Sequence, residues 1–89
     1  MTQARDEALL AAFASVLKDV RRDCGYSQEQ LALRAGVDRT FVGKLESGKN
    51  QPSLAVLFKL AHASSVDPEE FVRLIRSRVE TAKATHEGA

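Results

Sequence analysis

Arg39, Thr40 and Lys44 fall within VDRTFVGKLESGK, residues 37–49, a stretch whose helical period sets Val, Val and Leu on one side and these three polar residues on another. An arginine guanidinium can fork onto O6 and N7 of a guanine, and residues near the N-terminus of a helix lying in a major groove reach base edges. Arg39 and Thr40 sit near that end. Lys44 follows about one turn later on the same face, placed for a second base or a phosphate. A plain solvated helix face would carry the same cations, and these residues alone leave both readings open. Enzymatic chemistry has little to work with: His62 and His86 are the two histidines, and no paired carboxylates or Ser-His-Asp spacing accompany them. Two distant histidines and one cysteine make no coordination set, so neither a metal nor a cofactor is expected. Cys24, the single cysteine, is read as packing.

The elements that must position Arg39, Thr40 and Lys44 are helices. Residues 6–24 place Leu9, Phe13, Val16, Leu17 and Val20 on one helical face, with Gly25 as the stop. Ser27 with Gln30 three residues later forms a capping-box signature for a second helix ending at Gly36. Asp38 is the expected N-cap of the third helix, with Val37 stapling onto Val42, and Gly48 closes it. Ser53 caps a fourth helix whose inner face is read as Leu54, Leu57, Phe58 and Ala61. Asp67, Pro68 and Glu70 open a fifth that carries Phe71, Leu74, Ile75 and Val79, and the chain from Thr81 is read as a frayed tail. No segment alternates with the period of a strand. The expectation is an all-α domain of five helices over residues 1–80, with a flexible polar tail over 81–89. Only AGVD joins the second and third helices, which makes them a helix-turn-helix, with Leu31, Ala32, Ala35, Val42 and Leu45 as its packing residues.

At 89 residues the chain is one small domain, near the lower limit for a self-sufficient core, with 44% hydrophobic and 28% charged residues. A net charge of +1, with only a slight basic excess over residues 18–50, does not by itself announce a nucleic-acid binder. No apolar run approaches the ~20 residues that span a bilayer, and the Met-Thr-Gln-Ala-Arg start lacks an apolar signal region, so a cytoplasmic protein without membrane partners is expected.

The run SQEQLALRAGVDRTFVGKLESGKNQPSLAVLFKLAHA resembles the lambda-type repressor and Cro superfamily, the Xre family of bacterial regulators, over roughly residues 13–72. DRTFV followed by Glu46 looks most like the restriction-modification controller proteins within it. Ser64 and Ser65 depart from the Leu-Gly common in that family and leave the angle of the fifth helix open. The resemblance implies a transcription regulator bound as a homodimer to a near-palindromic double-stranded DNA operator, a controller or autoregulator with no small-molecule effector evident. It assigns base contacts to Arg39, Thr40, Lys44 and Phe41, a core position being the competing reading for Phe41, and backbone contacts to Gln28, Lys49 and Asn50; Gly43, whose missing side chain permits close approach to a sugar-phosphate, is read with the backbone contacts. Arg21 and Glu46 become a structural ion pair. A surplus of apolar residues on the fifth helix, Phe71, Val72, Ile75 and Val79, is read as the dimer surface. The competing reading is a protein-interaction module or antitoxin built on the same fold.

Overall fold

A computed structural model describes residues 6–87, with side chains described through Lys83. Five helices follow one another: α1 (Glu7–Asp23), α2 (Gln28–Ala35), α3 (Arg39–Glu46), α4 (Leu54–Ala63) and α5 (Pro68–Glu87). α1 lies against α3 and α5, α2 against α3 and α4, and α4 against α5. One core joins them. Phe13, Val16, Leu17 and Val20 of α1 meet Leu31, Ala32 and Ala35 of α2, Val42 and Leu45 of α3, Leu60 and Ala61 of α4, and Phe71 and Ile75 of α5. The rings of Phe13 and Phe71 stack tilted at 6.0 Å between centroids. Burying each large apolar side chain contributes about 1.5–3 kcal/mol, and this sum rather than helix propensity holds such short helices.

The ends of the helices are set by local chemistry. Asp6 accepts from the Leu9 amide, Ser27 and Gln30 exchange bonds across the first turn of α2, and Ser53 accepts from the Val56 amide. α1 to α4 then close with the same pair of backbone bonds, in which two successive amides turn back onto the last carbonyls. Gly25 and Tyr26 donate to Arg22 and Arg21, and Gly36 and Val37 to Leu33 and Ala32; Gly48 and Lys49 donate to Leu45 and Lys44, and Ser65 and Val66 to His62 and Ala61. The first residue of each pair has positive φ, which glycine adopts freely at 25, 36 and 48 and which Ser65 adopts at φ 58. The Ser64-Ser65 departure therefore leaves the closure of α4 intact. Ser64 is buried with its hydroxyl unpaired, while its carbonyl accepts from the Cys24 thiol at 3.4 Å.

Three expectations are corrected. The apolar stripe of α1 starts at Leu10 rather than Leu9, which is 44% exposed, because the buried side of the helix passes between two adjacent leucines. α4 turns Leu60 and Ala61 inward and leaves Leu54 and Phe58 at 71% and 51% exposure, so the face read as inner is half outer. Asp38 stands at the N-cap position of α3 but its side chain makes no capping bond. In addition, α5 continues as helix to Glu87 through the segment read as a tail from Thr81, whose positions 88–89 lie outside the described residues.

Candidate nucleic-acid interface

Gly36 lets the chain reverse between α2 and α3 within three residues, and Leu31, Ala32, Ala35, Val42 and Leu45 are all buried at the contact between the two helices. That docking decides what α3 shows to solvent. Arg39, Thr40 and Lys44 are exposed together on its far side. Phe41 is half-buried and packs against the core cluster, so it is divided between the two sides. Lys49 is exposed and Asn50 half-buried just beyond α3, where the Lys44 carbonyl accepts from both of their amides and from the Ser47 hydroxyl. The segment after α3 is thus folded back onto the end of the helix that carries Lys44.

The back of α3 is pinned by charge. Glu46, buried at the end of the helix, accepts from Arg21 Nε at 2.6 Å and Nη2 at 2.9 Å, while Arg21 Nη1 donates to the Tyr26 carbonyl at 2.8 Å. The hydrogen bond to Glu46 and its charge raise the Arg21 pKa above its ordinary value, against the opposing effect of burial. Gln28, half-buried at the start of α2, donates from Nε2 to Glu46 Oε1 at 3.2 Å. Its Oε1 lies 3.7 Å from where a Cβ on Gly43 would stand. No local sequence pattern signals this bond, because 18 positions separate its partners. Gln28 and Gly43, both assigned to backbone contacts, are therefore neighbours in space.

The residues assigned to a dimer surface divide differently. Phe71 and Ile75 are buried in the core of the single chain and cannot offer a surface to another; Val79 is half-buried and Val72 exposed. Helical period showed the stripe but not which partner it faces. Among the described residues the exposed large apolar ones are instead Leu9, Leu33, Leu54, Phe58 and Val72. Leu54 and Phe58, four apart, share one side of α4. Among the described residues there is no cluster of metal-binding side chains and no helix long and apolar enough to cross a membrane.

Comparison with known proteins bears on this arrangement directly. Residues 17–71 match the helix-turn-helix family HTH_3. The chain is 30% identical over 66 residues to the HTH-type transcriptional regulator SutR of Escherichia coli, covering 74% of this chain but 37% of SutR. Among solved structures, the restriction-modification controller C.AhdI from Aeromonas hydrophila is 40% identical, with a TM-score of 0.68 over 70% of this chain and 94% of that one. A point mutant of the restriction-modification controller C.Esp1396I is 25% identical with a TM-score of 0.75, over 80% of this chain and 90% of that one. C.Esp1396I has also been solved as a tetramer on its natural 35-base-pair operator. A helix-turn-helix packed as the sequence requires, a polar outer side on α3 and a match over most of the core carry one conclusion: the chain belongs to the helix-turn-helix family of lambda repressor and Cro-like, or Xre-type, DNA-binding regulators, and its structural neighbours include the restriction-modification controllers.

Proposed function

We propose that this chain is a sequence-specific DNA-binding transcription regulator that acts as a homodimer on a near-palindromic operator, in the manner of a controller protein or autoregulator. The observation that carries this reading is α3: buried through Val42, Leu45 and Glu46, it holds Arg39, Thr40 and Lys44 out on one side. In a major groove Arg39 and Thr40 meet base edges and Lys44 a further base or phosphate. Phe41 adds apolar contact to a thymine methyl. Lys49 and Asn50, together with the open amides at the start of α2 beside Gln28, hold phosphates and so fix the register. Operator DNA places its work in the cytoplasm.

One recognition helix covers a few base pairs, so two copies must act on half-sites about one helical turn, ~34 Å, apart. The exposed Leu54 and Phe58, with Val72 on α5, support pairing through α4 and α5. They replace the buried Phe71 and Ile75 in that role.

The test is selection from a random duplex pool, followed by the mass of the complex on the enriched sequence. An inverted repeat carrying two or four chains is expected, with log affinity falling against log salt by about 0.9 for each phosphate neutralised. Failure to enrich any sequence at low salt would overturn the proposal.

A further inference from the structure

We infer that Glu46 is a positioning residue for DNA binding: anchored by Arg21, its buried carboxylate fixes the side-chain amide of Gln28 over Gly43. The inference rests on the DNA-binding reading above. Both Glu46 oxygens are already engaged by Arg21, one through Nε and one through Nη2, and the bond from Gln28 is a third. Two bonds to arginine would complete a pair whose task was only to join α1 to α3. The third extends the pair to α2, to a residue at the helix start, where Ser27 caps the Gln30 amide and those of Gln28 and Glu29 have no helical acceptor.

The chemistry of the partners dictates the orientation of the amide. A carboxylate can only accept, so Gln28 must turn Nε2 toward Glu46 and therefore Oε1 toward Gly43. The second Nε2 proton is then the one available to an anion. Because Arg21 balances the Glu46 charge, a phosphate approaching Gln28 meets no uncompensated carboxylate. A glutamine held this way has already lost the rotamer freedom that a loose one would lose on binding. The Gln28 carbonyl rests over Gly43 at the distance of an ordinary contact, 3.7 Å from where a Cβ would stand.

A double-mutant cycle on the enriched operator tests this, run at a temperature where all four chains are folded by circular dichroism. Gln28→Ala is expected to weaken binding about tenfold, the scale of one hydrogen bond to a charged group. Glu46→Gln should weaken the unsubstituted chain by a similar factor, yet weaken the Gln28→Ala chain by less than about twofold. Equal losses in both backgrounds would mean that Glu46 acts on stability alone and overturn the inference while leaving the DNA-binding reading standing. An unsubstituted chain without sequence preference overturns both. Should Glu46→Gln fail to fold, NMR relaxation of the Gln28 side-chain amide in the unsubstituted protein decides. An order parameter above ~0.6 supports a held amide, and one below it overturns the inference.

Discussion

α3 and α4 are successive helices of similar length that bury one side in the same core, yet their outward sides are opposites. α3 shows Arg39, Thr40 and Lys44, while α4 shows Leu54 and Phe58. A polar outward side is at ease in water and needs no partner to persist. An apolar one leaves about 25 cal/mol of every Å² unrecovered until something covers it. The two helices thus divide the proposed work, one side for reading and one for joining. The division also shows in how they are held: α3 is tied from behind by Glu46 to α1 and α2, whereas α4 rests on Leu60, Ala61 and the apolar contact with α2 and α5.

The largest effect should come from untying α3. Arg21→Ala strands the Glu46 carboxylate, which is 2% exposed, and is expected to cost about 3–5 kcal/mol in urea unfolding. A loss under about 1 kcal/mol, typical of a surface pair, would erase the contrast in how the two helices are held. Next comes the joining side. Leu54→Lys with Phe58→Lys is expected to weaken self-association at least about 100-fold by sedimentation, as loss of central apolar anchors does. At dilutions where the chain is monomeric its melting should not change; unfolding there would make the outer side of α4 part of the core and break the comparison.

Smaller effects sharpen the reading side. Arg39→Ala should remove about 1–3 kcal/mol of discrimination at one position of each half-site, measured by competition among operator variants. Uniform weakening on every sequence would reassign Arg39 to the phosphate backbone. Gly43→Ala adds a Cβ in ordinary contact with Gln28, so thermal unfolding should show a gain of up to ~1 kcal/mol from helix propensity while operator affinity falls. Unchanged affinity would make Gly43 incidental to binding. Smallest, Ser65→Gly should stabilise the end of α4 by about 0.5–1 kcal/mol in chemical denaturation, since serine holds the positive φ that glycine takes at the ends of α1, α2 and α3.

What was legible in the sequence follows the range of the interaction concerned. Ser27 with Gln30, Ser53, and the glycines at 25, 36 and 48 act within a few residues, and each does in the structure what its type and position require. α3 was legible because Val42 and Leu45 separate by period from Arg39, Thr40 and Lys44, whereas period alone placed neither the half-buried Phe41 nor the buried Glu46. In α4 the apolar residues Leu54, Val56, Leu57, Phe58, Leu60 and Ala61 surround much of the helix, so period could not choose an inner side and tertiary packing chose it. The stripe of α5 was visible, but whether Phe71 faced its own core or another chain was not. The bond from Gln28 to Glu46 joins helices whose approach no local pattern encodes.

The closures of α1 to α4 bear on how the protein would meet an operator. Each turns the chain within two residues by paired backbone bonds, and the longest link, residues 47–53, is itself folded back onto α3. Little slack remains between the helices, so two joined copies would behave as a calliper of fixed span. Any misfit in half-site spacing must then be taken up by the duplex, through twisting or bending of the base pairs between the half-sites. The stiffness of DNA that the protein never touches would become part of what it reads.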